Sequence, residues 1–474
     1  MTDDPMTRSR DRIRDLFRQM TSRWYILAMV FLTSMLFMAN FYYKSHILYR
    51  DNARLDYVTN GSRHRRPHRY HGWLVVKSIK AQACPLAYFV QRTVTVRNNS
   101  AAIMTNVESH QEVISSRTHL PDNLWLNPSN STISWTNLNI PKLFNATFLN
   151  PCWYDPPEGA ARKLHCLPYF FLAGFPKCAT TDLYYKMALH PQIRLAAKKE
   201  PHWWTRKRLP DLNSTMESGS LMSLEKYEEL FDRGANCMEK ISKLHLPGQV
   251  RLITGDASAS TLWDNRYWRL SPEDTKLNKS GLTLAEIIQH YLPKSKIIVI
   301  VRDPVSRLFS DYNYFWKDVD ILPSVEDFHE KAKHAITAIT ECLVNNTLRA
   351  CLYEDIIKTK VRIKVGMYSV YLRDWYRAFP RQQIHVLRTE DYAASPETEL
   401  KKIFNFLDLD PLEKSVYEKI RKMSKMNDQR SRTSGIEMLP ETETMLRDFY
   451  SRFNRDLATL LNNSNYLWLN NTAS

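Results

Sequence analysis

Apolar residues along this chain gather into short runs cut by polar punctuation, and two periods alternate. Tyr169–Leu172 is apolar and aromatic, the mark of a short buried strand, and Gly174 and Pro176 end it. Thr180, Thr181 and Asp182 then supply helix-start chemistry ahead of Leu183, Met187 and Leu189. Further on, Ile193–Ala196 and Val250–Gly255 read as strands, and Lys296–Val301 (KIIVIV) as a strand covered on both faces. Leu224–Arg233 and Leu284–Tyr291 carry helical spacing between them. Gly366–Trp375 predicts an amphipathic helix, Ile384–Leu387 a strand, and Leu400–Leu409 and Met438–Leu461 further helices. Strands alternating with helices predict an α/β fold: a central, mostly parallel sheet flanked by helices, with ligands at the carboxyl ends of its strands.

The N-terminal third departs from this rhythm. Trp24–Tyr43 is an apolar run of about 20 residues, long enough to span a bilayer. Arg8, Arg10, Arg12, Arg14, Arg18 and Arg23 precede it and only Lys44 and Arg50 follow closely, which puts the N-terminus in the cytosol. No small-residue cleavage site follows, so a retained anchor is expected. The resulting plan is a cytoplasmic tail (1–23), a signal-anchor helix (24–43), a lumenal stem (44–150) and a catalytic domain (151–474). Within the stem, Arg63–His71 is basic and reads as a solvated run, while Trp73–Val76 and Phe89–Val96 alternate as a short hairpin would.

Glycosylation sequons at Asn60, Asn98, Asn130, Asn145, Asn213, Asn278, Asn345, Asn462 and Asn470 agree with a lumenal location. So do the seven cysteines. Cys342 and Cys351 bracket one short loop and Cys152 and Cys166 another, so each pair is expected to bond. Cys178 is expected to stay free, and Cys84 and Cys237 are left to pair with each other or with another chain. A net charge of +16 calls for acidic partners. Nucleic acid does not meet a lumenal chain; an anionic polysaccharide does.

Lys177 stands in the turn between the first strand and its helix, where free N–H groups and the positive helix end converge on an anion. The stretch departs from a nucleoside-triphosphate loop, since no Gly-Lys-Ser/Thr follows, which argues against a P-loop kinase. Arg302-Asp-Pro-Val-Ser-Arg-Leu-Phe-Ser310 follows the KIIVIV strand, so that a guanidinium fork and the Ser310 hydroxyl reach one phosphate. The bland alternative is an Arg–Asp pair at a helix start, with Arg307 and Ser310 facing solvent.

GFPKCATTDLY at Gly174 and RDPVSRLFSDY at Arg302 resemble the 5′-phosphosulfate and 3′-phosphate motifs of sulfotransferases. With PCWY at Pro151, KEPHWWTRKR at Lys199 and LRDFY at Leu446, the region from about Cys152 to Leu461 resembles a Golgi carbohydrate sulfotransferase. EPHWWTRKR is the most telling string for the subgroup that makes disulfated chondroitin. The resemblance implies 3′-phosphoadenosine 5′-phosphosulfate (PAPS) as donor and no metal. Lys177, Cys178, Ala179, Thr180 and Thr181 would surround the 5′-phosphosulfate. Arg302 and Ser310 would hold the 3′-phosphate, with Arg430 and Arg432 on a basic loop closing over the donor. Ala179 replaces the family's usual glycine and is expected in a helical or bridge conformation. Glu200 would be the acceptor base, its pKa raised by burial beside Trp203 and Trp204, with His202 as runner-up. Lys198, Lys199, Arg206, Lys207, Arg208, Asp256 and Ser258 would meet the polysaccharide.

The implied acceptor is the 6-hydroxyl of N-acetylgalactosamine 4-sulfate in chondroitin or dermatan sulfate. The implied setting is the Golgi membrane, with homodimers a further expectation. Three alternatives remain open at this point: another glycosaminoglycan position (heparan-type), a non-catalytic polysaccharide-binding protein, and a P-loop kinase.

Overall fold

KIIVIV lies inside a five-stranded parallel sheet, and its Ile297–Val301 are fully buried, as a strand covered on both faces requires. The computed structural model describes residues 83–91, 138–155, 162–208, 221–266, 268, 281–315, 324–354, 357, 359–423 and 437–469. All of them fall in one compact unit, Tyr70–Ser474. The strands are β1 (Cys152–Tyr154), β2 (Leu164–Cys166), β3 (Phe170–Gly174), β4 (Ile193–Leu195), β5 (Ile253–Asp256), β6 (Lys296–Val301) and β7 (Ile384–Arg388). The large sheet runs β4-β5-β3-β6-β7, and each neighbouring pair is parallel. β3 is central: the chain fills one side with β4 and β5, then crosses to β6 and β7. The carboxyl end of β3 is therefore the switch point at which a ligand crevice opens.

Helices cover the sheet. In chain order they are α1 (86–91), α2 (Thr180–Met187), α3 (Leu224–Glu228), α4 (Asp232–Ser242), α5 (Leu284–Tyr291), α6 (Pro304–Phe315) and α7 (Val325–Asn345). They continue as α8 (Leu348–Tyr353), α9 (Tyr368–Ala378), α10 (Thr389–Ala394), α11 (Pro396–Phe406), α12 (Lys414–Lys422) and α13 (Pro440–Leu461). Several starts are chemically marked. Thr283 and Glu286 form a capping box at α5, and Pro304 opens α6 behind the Asp303 carboxylate, which accepts from the Val305 and Ser306 amides.

Two pieces of the expected stem belong to this unit. Residues 86–91 are helical, not the Phe89–Val96 strand expected from alternation, and Cys84 beside them is bonded to Cys237 of α4. The half-buried Leu86 and Phe89 pack on the cluster around Met238, and a hydrophobic contact of this kind outweighs a weak period-two pattern. Phe148 bridges to Val250, and Ile140 joins the main core. β1 and β2 form an antiparallel hairpin closed by Cys152–Cys166, and α7 is joined to α8 by Cys342–Cys351. Among the described residues no helix is long and apolar enough to cross a membrane. Trp24–Tyr43 lies outside them, as do the basic loop with Arg430 and Arg432 and the rest of the hairpin expected over Trp73–Val76 and Phe89–Val96.

Candidate active site

Three turns meet at the carboxyl edge of the large sheet, following β3, β6 and β4. The first follows β3. A register shift between Leu172 and Gly174 breaks the regular pairing with β6, and the Phe175 amide then donates to the Ile300 carbonyl at 2.8 Å. Gly174 is needed here because residues 259–262 pass over the strand end. A Cβ at 174 would stand 3.3 Å from Leu262 Cβ and 3.5 Å from the Ala259 carbonyl. Lys177 and Ala179 then both adopt left-handed backbone, at φ 67° and φ 60°. This overturns the helical or bridge conformation expected of Ala179. The turn must reverse within a few residues between β3 and α2, and it does so by placing alanine where glycine is unstrained.

The N–H groups at the start of α2 have no intrahelical carbonyl to pair with, so the turn presents donors beside Lys177. Lys177 Nζ rests 3.8 Å from the ring centre of Tyr314 near the end of α6. Thr180 is buried and Thr181 half-buried. Cys178 is free and fully buried, and burial pushes its thiol up to about 12 against the opposing charges of Arg307 and Arg302. It packs the loop and is no nucleophile.

The second turn follows β6, next to β3. Arg302 is half-buried, and its carbonyl accepts from the Tyr368 hydroxyl at 2.9 Å. Tyr368 in turn packs its ring 4.5 Å from that of Phe175, which ties this turn to the first. The Arg302 guanidinium and the Ser310 hydroxyl have no hydrogen-bond or ion-pair partner among the described residues. Arg307, by contrast, is fully buried, 3.6 Å from Asp311 and donating to the Arg362 carbonyl at 3.0 Å. The alternative with Arg307 in solvent is excluded.

The third turn carries Glu200 and His202, both left-handed (φ 57° and 54°), into a π-helical turn over Trp203–Lys207. His202 is clasped by the segment after β5. Its amide donates to Ser258 Oγ at 3.0 Å, and its Nδ1 lies 2.7 Å from Ser260 Oγ. His202 Nε2 is 3.1 Å from Glu200 Oε2, and Lys199 binds Glu200 Oε1. Glu200's pKa is consequently not raised. Burial pushes it up, but the His202 hydrogen bond and the Lys199 ammonium outweigh burial and hold it at about 2. Trp203 and Trp204 do not line the carboxylate as expected. They are buried, and their indoles donate to the Met222 carbonyl and the Tyr227 hydroxyl.

Not every expected acceptor contact faces the crevice. Asp256 is buried, accepting from the Tyr227 hydroxyl at 2.7 Å and the Ser258 amide at 2.8 Å, and burial pushes its pKa up. Ser258 is buried beneath His202. Both are supports for the third turn rather than surfaces for a sugar. Lys198 is exposed and Lys207 half-buried, and the Arg208 guanidinium sits 5.7 Å from the Trp203 ring and 5.9 Å from Trp204. Arg206 donates through Nε to Asp264 at 2.7 Å, and so does Arg266, a residue the motifs did not single out. Its signal was the WDNR stretch just beyond the strand end. Among the described residues, no group of three or more His, Cys, Asp or Glu is placed to hold a metal ion.

The chain is 37% identical over 323 residues to carbohydrate sulfotransferase 15 of Rattus norvegicus, and 37% identical over 318 residues to that of Homo sapiens. Each match takes in 66% of this chain and 56% of the relative, so the chain spans little more than half the length of these relatives. A sulfotransferase from Alicyclobacillus acidocaldarius superposes with a TM-score of 0.42 at 20% identity, over 63% of this chain and 98% of that one. The sulfotransferase domain family matches residues 167–456, which is most of the described unit, and the chain belongs to that family.

Proposed function

We propose that this chain transfers a sulfuryl group from PAPS to a glycosaminoglycan hydroxyl, the 6-hydroxyl of N-acetylgalactosamine 4-sulfate in chondroitin or dermatan sulfate. The observation that carries this reading is the meeting of the Lys177, Arg302 and Glu200–His202 turns on one sheet edge. Lys177 and the N–H groups of residues 178–181 would hold the 5′-phosphosulfate, and Arg302 with Ser310 the 3′-phosphate. The unengaged Arg302 and Ser310 side chains fit a dianionic ligand between them. The acceptor oxygen attacks sulfur, the sulfur–oxygen bond to the 5′-phosphate breaks, and the hydroxyl proton passes to Glu200. Adenosine 3′,5′-bisphosphate leaves with its charge balanced by Lys177. Glu200 is ionised at neutral pH and open to solvent over 36% of its side chain, and a carboxylate held at about 2 takes the proton only as the acceptor oxygen, bonding to sulfur, becomes strongly acidic.

The setting proposed is the Golgi lumen, with Trp24–Tyr43 as a type II anchor and the sequons facing the lumen. The described pieces at 83–91 and 138–150 are tied to the rest of the unit by Cys84–Cys237 and by the Phe148–Val250 bridge. Incubating the enzyme with radiolabelled PAPS and chondroitin 4-sulfate, followed by disaccharide analysis, tests the reading. Label in 4,6-disulfated galactosamine supports it. Label only in heparan-type disaccharides moves the acceptor, and binding without transfer to any glycan leaves a polysaccharide-binding protein.

A further inference from the structure

Two large aromatic side chains at the end of α6 stand outside the core: Tyr314 is 39% exposed and Phe315 56%. The helix does not need them for packing. Its Phe309 and Tyr312 rings already meet the Phe328 ring of α7, at 5.1 and 5.0 Å between centres. Charged groups set the place of the outer pair instead. Lys177 Nζ lies 3.8 Å from the Tyr314 ring centre. The Phe315 ring meets Tyr314 edge to face, with centres 4.9 Å apart, and the Arg362 guanidinium lies 4.2 Å from the centre of Phe315. Arg362 is in turn tied to the buried Asp311 by Nε at 2.8 Å and by Nη2. A braced row thus runs from Asp311, one turn back on α6, through Arg362 and Phe315 to Tyr314, and ends on Lys177.

What the row does for Lys177 follows from the side chain's own properties. Lysine ends in a compact charge on a flexible four-carbon stem, and a site that must meet a transferring group at one place gains by fixing that charge beforehand. Left-handed backbone at φ 67° sets where the stem leaves the turn, and Tyr314 holds its far end. A π-face attracts an ammonium through its quadrupole yet bears no net charge. The ring therefore adds nothing that repels the sulfuryl and phosphate oxygens of a donor, as a carboxylate in its place would.

We infer that Tyr314 is a positioning residue: its ring face holds the Lys177 ammonium where the 5′-phosphosulfate oxygens arrive. The inference rests on the donor role proposed above for Lys177 and adds to it the residue that sets the lysine's place. The ring acts, not the hydroxyl, so Tyr314→Phe keeps the function and Tyr314→Leu loses it. Because Tyr314 stands at the surface, neither change opens a cavity in the core.

The test is a double-mutant cycle read by calorimetric binding of adenosine 3′,5′-bisphosphate to the detergent-solubilised full chain. Tyr314→Leu should weaken binding roughly 5-fold, as the loss of one cation–π contact beside a bound anion implies, and Tyr314→Phe should stay within about 2-fold of wild type. Lys177→Met should weaken binding more. Adding Tyr314→Leu to it should cost nothing further, since the ring then has no ammonium to hold. An additional loss in the double variant would mean that Tyr314 touches the nucleotide or supports the fold, and would overturn the assignment. So would full binding by Tyr314→Leu, or a phenylalanine variant as weak as the leucine one. A wild type that binds no adenosine bisphosphate would remove the donor reading and this role with it. The expected cycle without sulfate transfer to any glycan would count against the reaction alone and leave the role of Tyr314 standing.

Discussion

Ala179 shows how a single residue can fit a motif's chemistry while departing from its geometry. Its left-handed backbone costs about 1–2 kcal/mol for a residue with a Cβ, whereas glycine would add about 0.5–1 kcal/mol of unfolded-chain entropy. Strain outweighs the entropy, so Ala179→Gly should raise the thermal midpoint by roughly 1–2 °C. A midpoint lowered by the glycine would show that the turn is unstrained. Glu200 is the other residue at which environment decided. The carboxylate was legible in Lys-Glu-Pro-His; its partners were not, because Lys199 and His202 reach it only through the left-handed backbone at 200 and 202. Its folded pKa of about 2 lies below the ordinary 4.5, so its contribution to stability is complete above 4.5 and is lost as pH falls toward 2. In His202→Ala the carboxylate should titrate nearer its ordinary range. An acid limb should then enter the kcat/KM profile at about pH 4–5, where wild type has none from this group. A profile unchanged in shape would mean that Lys199 alone holds the charge.

Among the elements, β5 is where the sheet tolerates least. Gly255 pairs with Phe170 of β3, and a Cβ there would lie 2.5 Å from the Phe170 ring, in a core with no room to yield. Gly255→Ala should therefore lower the thermal midpoint, at a cost of about 1–3 kcal/mol, and displace the Asp256–Ser258 support of His202. A variant as stable as wild type would mean that Phe170 can swing aside. The strands were the legible part of the fold because β-branched and aromatic runs bounded by glycine and proline have few other readings. β6 and α5 match their expected ranges, and β7 extends its range by one residue. The spatial order β4-β5-β3-β6-β7 was not legible, since period and propensity say nothing of which strands adjoin. α7 went unseen although it has 21 residues, because its apolar positions are spaced among charges and it buries only one narrow face.

At the scale of the whole molecule, three disulfides join segments that the sheet alone would leave loosely attached. Cys152–Cys166 and Cys342–Cys351 close loops with separations of 14 and 9 residues, and their spacing revealed them. Cys84–Cys237 spans 153 residues, so nothing in the spacing could favour it over a bond to another chain. Closing the longest loop removes the most freedom from the unfolded chain, so this bond has the largest stabilising effect expected of the three, about 4–5 kcal/mol in the chain-entropy account. It also fixes α1 against α4, where Leu86 and Phe89 cover Met238, while the catalytic turns lie at the edge of the other cluster. Cys84→Ser should therefore lower the thermal midpoint by several degrees and expose the segment before Phe144 to limited proteolysis. Sulfate transfer per folded molecule should stay near that of wild type below the transition, because no residue of the three turns touches this bond. Loss of specific activity without loss of stability would instead show that α1 and the segment it anchors reach into the acceptor crevice.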